Sequence, residues 1–282
     1  MARNTVNTLL KLKQEGKKIS QVTCYDYSTA RLVDAAGIDT ILVGDSLGMV
    51  MQGYENTLPV TMEEMIIYGR SVVRGAQNAF VVIDMPFMSY QCSVEQAVMN
   101  AGRLIKETGA NAVKLEGGVA VAPQIKAIVD SGIPVCGHIG MTPQSCNLMS
   151  GFKVQGKSEA NAERIMQDAF AVQEAGAFMM VIECVPPKLS ALISKKMHLI
   201  TIGIGAGAGC DGQVLVNQDM TQMNGDFLPK FCKHFGNVGD ALIAAYKAYD
   251  EEVKAGTFPD EQHSFPKSEC PEEFLKVLDE RY

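Results

Sequence analysis

Residues 93–116 read SVEQAVMNAGRLIKETGANAVKLE, and this stretch holds one complete structural unit. Ser93 followed three residues later by Gln96 has the form of a capping box, which satisfies the first free N–H groups of a helix. From Val94 the apolar residues Val94, Ala97, Val98, Ala101, Leu104 and Ile105 recur at spacings of three and four. That spacing puts them on one face of a helix running to Thr108. Gly109 stands where a left-handed C-cap tolerates no Cβ. Ala112–Glu116 is then a run of strand length, in which Lys114 and Glu116, two apart, share a face. An amphipathic helix leading straight into an apolar strand is the unit of a parallel sheet.

The same unit recurs along the chain. Strand-length runs rich in Val and Ile are Ile19–Cys24, Thr40–Gly44, Phe80–Asp84, Ala112–Glu116, Ile133–His138, Phe178–Glu183, Leu199–Gly203 and Gln213–Val216. Between them lie stretches read as helical: Ser28–Ala36, Met62–Gln77, Val94–Thr108, Pro123–Asp130, Glu159–Glu174 and Pro187–Lys195. Thr61 and Glu64 repeat the capping-box signature, and Gly37, Gly132 and Gly176 repeat the glycine stop before a strand. Strands alternating with helices imply a parallel sheet, and eight such units in about 220 residues fit a single (β/α)8 barrel better than an open sheet. No linker rich in Pro, Gly or Ser divides the chain. Residues 1–282 are therefore read as one α/β barrel domain with an acidic C-terminal extension from about residue 251.

Composition excludes several classes. The 282 residues are 47% apolar and 20% charged, too hydrophobic for a disordered chain. With 25 basic and 32 acidic residues the formal charge is −7, so the basic face of a nucleic-acid binder is lacking. From Glu251 to Tyr282, counting Lys267 and Glu269, nine acids face four bases, and −5 of the total sits in this solvated end. The eight cysteines form no C-x-x-C pair and several lie in apolar runs, as free thiols do in a reducing compartment. No apolar run reaches membrane-spanning length, and residues 1–16 lack the apolar core of a signal peptide. Their weak amphipathicity through Val6, Leu9, Leu10 and Leu12 suits a helix packed on the domain. A cytoplasmic protein is expected.

The chemistry gathers where the strands end, which in such barrels is the active face. Asp26 follows the first run, Asp45-Ser46 the second and Asp84 the third. Lys114 and Glu116 end the fourth, His138 the fifth and Glu183 the sixth. Val43 with Asp45, Val82 with Asp84 and Val181 with Glu183 are expected to share faces, directing the acids to one mouth. Asp45, Asp84, Glu116 and Glu183 against Lys114 make a local charge of −3. Like charges so confined would force protonation unless a cation intervenes. Carboxylate oxygens suit Mg2+ or Mn2+, and a single strand-end histidine disfavours zinc or iron. His138 is a further candidate standing behind the metal ligands, or a satisfied structural histidine. Gly203-Ile204-Gly205-Ala206-Gly207-Ala208 fits a dinucleotide fingerprint, but Cys210-Asp211-Gly212 follows instead of a helix, so a tight turn or anion-binding loop is expected. Cys184 is expected on the face opposite Glu183, away from the chemistry.

Taken in order, these segments resemble the ketopantoate hydroxymethyltransferase family. The resemblance is carried by Cys24-Tyr25-Asp26-Tyr27, Val43-Gly44-Asp45-Ser46-Leu47-Gly48-Met49, Asp84-Met85-Pro86-Phe87-Met88, Val113-Lys114-Leu115-Glu116-Gly117-Gly118, Cys136-Gly137-His138-Ile139-Gly140-Met141-Thr142-Pro143-Gln144 and Glu183-Cys184-Val185-Pro186. It runs from about Thr8 to Phe265, departing at Gly69, at Phe152 and in lacking a glycine after Asp219. It implies a barrel of the phosphoenolpyruvate/pyruvate type, assembled as a homodecamer. It also implies transfer of a hydroxymethyl group from methylenetetrahydrofolate to 3-methyl-2-oxobutanoate, giving 2-dehydropantoate for pantothenate and coenzyme A. By the same resemblance Asp45 and Asp84 are direct Mg2+ ligands and Glu116 completes the metal site. Asp45, Ser46, Asp84 and Lys114 hold the 2-oxo acid, and Glu183 accepts the proton.

The residue chemistry agrees with that reading. A metal on the keto oxygen stabilises the enolate formed when the neighbouring carbon loses its proton. That carbon is weakly acidic and needs a positioned base, while Lys114 offsets the developing charge. The competing readings are a Mg2+-dependent C–C lyase or mutase of the same superfamily, a non-enzymatic binding barrel and, last, a dinucleotide oxidoreductase. The Lys-Lys-Cys-Gly-His loop of isocitrate lyase is absent from the sequence.

Overall fold

A computed structural model describes residues 3–149, 151, 153–225, 228–265 and 270–282; Phe152, Lys267 and Glu269 lie outside them. The chain opens with helix α1 (Val6–Gln14), then alternates strands and helices. In order these are β1 (Ile19–Thr23), α2 (Tyr27–Ala35), β2 (Thr40–Val43), a single turn α3 (Leu47–Val50), α4 (Met62–Gly75), β3 (Phe80–Asp84) and α5 (Val94–Thr108). There follow β4 (Ala112–Lys114), α6 (Ala122–Asp130), β5 (Val135–Gly140), α7 (Glu159–Glu174), β6 (Met179–Glu183), α8 (Pro187–Lys196), β7 (Ile200–Ile204) and β8 (Gly212–Leu215). A short α9 (Asn217–Met220), α10 (Val238–Ala255) and α11 (Glu272–Arg281) complete it. The eight strands close in sequence order into a parallel barrel, with β8 returning to β1 at the Ile19–Gly212 pair. The single (β/α)8 barrel read from the sequence is what the chain forms.

Local causes of the helix ends are visible. Thr61 and Glu64 make the reciprocal capping box that opens α4. Ser93 caps α5 through the Gln96 N–H, but the Gln96 side chain donates to the Met88 carbonyl instead of returning to the cap. Gly37, Gly109, Gly132 and Gly176 all have positive φ at the stops assigned to them. Gly69 fits α4 against its neighbours, because a Cβ there would fall 2.5 Å from Ile83 Cδ1 and 2.9 Å from Thr108 Cγ2.

Two apolar layers hold the barrel. Inside it Leu42, Phe80, Val82, Ala112, Cys136 and Val181 pack together, and Leu9 of α1 plugs the bottom. Outside it Ile41, Val81, Val113, Ile139 and Ile182 meet the helices. One barrel helix is missing: residues 205–211 run from the top of β7 to the bottom of β8 without one. The glycines let this strand of chain press on α8, where a Cβ at Gly207 would lie 2.6 Å from Pro187 Cβ and one at Gly209 2.5 Å from Ala191 Cβ. This close approach, with no helix following, explains the fingerprint-like glycines. α10 and α11 bury none of their residues. Among the described residues no helix is long and apolar enough to cross a membrane, and all eight cysteines are free.

Candidate active site

One cavity of about 420 Å3 opens at the C-terminal ends of the strands. Asp45, Ser46, Asp84, Lys114, Glu116, His138 and Glu183 all line it, so four of the five acids read at the strand ends are present, together with the lysine and the histidine. Asp84 ends β3 and pairs in register with Lys114 at the end of β4. Glu116 follows two residues later on the same face, His138 sits inside β5, and Glu183 ends β6. Asp26 is the exception among strand-end acids: it turns away and caps α2 through the Thr29 N–H at 2.9 Å.

Strict alternation fails at two places. Val43 packs in the outer layer and Leu42 faces the cavity, so alternation would send Asp45 outward. It reaches the mouth because β2 stops at Val43 and a turn begins, with Leu47 and Gly48 N–H groups bonding back to the Gly44 and Asp45 carbonyls at 3.1 and 3.0 Å. Cys184 was expected on the face opposite Glu183, yet it lines the same cavity. Its φ of +48° is a left-handed conformation, which breaks the two-residue period. Burial pushes its thiol up to about 11, with Glu183 adding to the effect, so it is protonated at neutral pH and a poor nucleophile.

The buried charges are paired in a chain. Lys114 Nζ lies 2.9 Å from Asp84 Oδ1 and 3.3 Å from His138 Nδ1. His138 Nδ1 is 3.4 Å from Glu116 Oε1, and its Nε2 is 3.2 Å from Glu183 Oε2. Burial and the charges of Asp84 and Glu116 hold Asp45 well above the usual carboxylate range. Asp84 is raised by burial, with Lys114 opposing. Burial opposes ionisation of Glu116 as well, but His138 and Lys114 outweigh it and its pKa falls. For Lys114 burial is outweighed by the three carboxylates, and its pKa rises. Burial and Lys114 work against a charge on His138, yet Glu116 and Glu183 carry it to about 9. A protonated His138 adds a second positive charge to the cluster beside Lys114.

The donor set fits a hard divalent ion. Each of three acids gives one oxygen to a neutral N–H: Asp84 Oδ2 to Asp45 N at 3.0 Å, Asp45 Oδ2 to Gln144 Nε2 and Glu116 Oε2 to Gln144 N, both at 2.9 Å. Asp84 Oδ1 has Lys114 at 2.9 Å and Glu116 Oε1 has His138 Nδ1 at 3.4 Å, and neither buried oxygen accepts a further hydrogen bond, which leaves lone pairs for a cation. Among the described residues no three acids, histidines or cysteines already converge to chelate an ion unaided. What matches Mg2+ is therefore the oxygen chemistry of the donors, not a preformed cluster.

Three supporting residues carried no signal in the sequence. Tyr25, fully buried, bonds Ser46 Oγ at 2.8 Å. Tyr90 and Gln144 lie in loops after β3 and β5; Gln144 reaches the Asp45 and Glu116 carboxylates from behind, and Tyr90 holds Gln144 and the Glu116 backbone. All three fall within or beside the segments that carry the family resemblance, but neither periodicity nor charge marks them.

The sequence model of the ketopantoate hydroxymethyltransferase family matches residues 3–261. A 3-methyl-2-oxobutanoate hydroxymethyltransferase of Clostridium novyi (strain NT) is 58% identical over 280 residues, 99% of this chain and 100% of that one. One from Clostridium botulinum (strain 657 / Type Ba4) is 60% identical over 93% of this chain and 96% of its own. Among solved structures, a phosphoenolpyruvate phosphomutase from Streptomyces platensis subsp. rosaceus superposes with a TM-score of 0.60 at 17% identity, over 98% of this chain and 96% of that one. A phosphonopyruvate hydrolase solved with oxalate and Mg2+ gives 0.60 at 12%, over 99% and 96%. Likeness to the mutases is thus a likeness of fold, whereas the transferase relatives match over the full length.

Proposed function

The chain belongs to the ketopantoate hydroxymethyltransferase family and is a hydroxymethyltransferase acting on 3-methyl-2-oxobutanoate, and from that premise we propose how its residues divide the work. Asp45 and Asp84 hold a Mg2+ ion, with Glu116 completing its surroundings. Bound there, the ion would supply positive charge beside the keto oxygen while the neighbouring carbon loses its proton. Ser46, held by Tyr25, and Lys114 take the 2-oxo acid's oxygens. Leu42, Met49, Val181, Ile204 and Val214 line the same cavity and suit the branched alkyl end.

Glu183 accepts the proton. It stands on β6, across His138 from the metal-side acids, with His138 Nε2 beside its Oε2. That contact holds the carboxylate in one place, as a positioned base requires. Lys114, charged because three carboxylates surround it, offsets the negative charge that passes to the substrate. The carbanion carbon then bonds to the one-carbon unit of methylenetetrahydrofolate, the donor; that unit's bonds to the folate nitrogens break, water supplies the hydroxyl, and tetrahydrofolate leaves. The observation that carries this reading is that one cavity gathers the metal-side acids, Lys114 and a separate carboxylate on another strand.

Two coarser expectations belong to the same proposal. A reducing, cytoplasmic setting is supported by eight free cysteines. Assembly with copies of itself, a decamer by family resemblance, is supported by the unburied apolar residues of α10.

The test separates proton removal from transfer. Wild type in D2O with Mg2+ and no folate is expected to exchange the hydrogen on the third carbon of 3-methyl-2-oxobutanoate, followed by proton NMR. Glu183→Gln is expected to slow that exchange by about 10²–10⁴-fold. Exchange at the wild-type rate in the variant would remove Glu183 from this role.

A further inference from the structure

The acids at the barrel mouth are not free to turn. Gln144 supplies a donor to two of them: its Nε2 to Asp45 Oδ2 and its backbone N–H to Glu116 Oε2, both at 2.9 Å. The second hydrogen on Nε2 goes to the Met85 carbonyl at 2.9 Å. At the other end of the amide, Oε1 accepts from Tyr90 Oη at 2.6 Å and from Gln91 Nε2 at 3.2 Å. All the hydrogen-bonding capacity of the amide is in use, which leaves it one orientation. Tyr90 Oη in turn accepts the Glu116 backbone N–H at 3.0 Å. Tyr90 and Gln144 are buried and neither lines the cavity, so Gln144 can act on a ligand only through the two carboxylates it touches, and Tyr90 only through Gln144 and the Glu116 backbone.

The chemistry of these donors matters. A side-chain amide and a backbone N–H fix carboxylate orientation without adding counter-charge, so the negative charge stays available to a cation. The oxygens they occupy are one per acid, and the other oxygen of Glu116 is left without an aligned partner. Groups behind metal ligands commonly set their direction and affinity in this way. We propose that Gln144, braced by Tyr90, is a positioning residue that aims Asp45 and Glu116 into the cavity for a divalent cation. The inference rests on the metal reading given above.

The experiment measures Mn2+ binding by the free-ion EPR signal in the full-length protein. Wild type, Asp45→Asn, Gln144→Met and Tyr90→Phe are compared, with the thermal midpoint of each metal-free protein taken alongside. Wild type is expected to bind and Asp45→Asn to lose binding. Gln144→Met keeps the volume and removes the side-chain donors, and is expected to weaken Mn2+ about 10–100-fold while the metal-free midpoint stays close to wild type. Tyr90→Phe loses one oxygen and is expected to weaken binding in the same direction by less; it decides the question alone if Gln144→Met does not fold. Wild-type affinity within about twofold in both variants, with Asp45→Asn still defective, overturns the positioning role and leaves the metal reading standing. A wild-type protein that binds no Mn2+ removes both.

Discussion

At the scale of single residues, the site depends on two breaks in strand period. Asp45 comes inward because β2 ends early, and Cys184 comes inward because its φ is +48°. Residue type and strand-end position were legible in the sequence: Asp84, Lys114, Glu116, His138 and Glu183 stand on the faces expected of them. Where a strand stops to the nearest residue was not, because that depends on which backbone N–H finds a partner across the barrel, here Asp45 N on Asp84 Oδ2. Tyr90 and Gln144 were not legible for a related reason: a neutral side chain in a loop gains its meaning from what it touches. Cys184 gives a test of the geometry. Its thiol, raised to about 11, is the uncharged form at neutral pH. Because only the thiolate reacts, alkylation by iodoacetamide should climb about tenfold per pH unit between 7 and 10. Peptide mapping should find exposed Cys92 and Cys270 labelled well before it at pH 7.5. Equal labelling of all three at that pH would contradict the half-buried, protonated thiol.

At the scale of elements, all six helices read from the sequence lie within two residues of their observed bounds because apolar spacing and caps agree. What the sequence did not disclose was how a barrel closes without a helix between β7 and β8. The answer is a pin made by α1. Asp211 Oδ2 receives the Thr201 N–H at 2.8 Å, Thr201 Oγ1 at 2.9 Å and Lys13 Nζ at 2.8 Å. Lys13 also donates to the Met197 carbonyl at 3.0 Å, tying the end of α8 to the floor. The Lys13 partners Met197 and Asp211 lie 184 and 198 residues from it along the chain, and no local pattern announces them. Removing the carboxylate leaves the Thr201 N–H without its acceptor and the Lys13 ammonium without its counter-charge, with only carbonyls around it. Asp211→Ala is therefore expected to cost about 2–3 kcal/mol, read from the urea midpoint at constant slope. The contrasting variant is Asp250→Ala, which breaks only the exposed i,i+4 pair with Lys254 on α10 and should leave the midpoint in place. Equal effects of the two would mean that the Asp211 pin is no stronger than a surface ion pair.

At the scale of the whole molecule, the formal charge of −7 separates into unlike parts. Most of it lies in the last two helices, and a compensated cluster lies in the barrel mouth, where Lys114 and a protonated His138 face four acids. The last helices carry something else as well. α10 follows β8, where a barrel helix ordinarily packs on the wall, yet it buries nothing. Ile243, Tyr246, Tyr249 and Val253 recur at spacings of three and four, so they share one face, and each is more than 40% exposed. An apolar stripe of this length in water forfeits roughly 25 cal/mol for every Å² it could bury. A helix polar all round would need no partner, but this one has a face that matches burial, and the sequence reading of an oligomer gives that face its occupant: another copy of the chain. Light scattering on the eluting protein should then give a mass several times the 30.5 kDa of one chain. The double variant Ile243→Asp with Tyr246→Asp puts two charges on the stripe while touching no buried residue of the barrel, so it should lower that mass and leave the circular dichroism of the fold intact. An unchanged mass in the variant would move the interface elsewhere on the barrel, and a wild-type mass of one chain would remove the oligomer altogether.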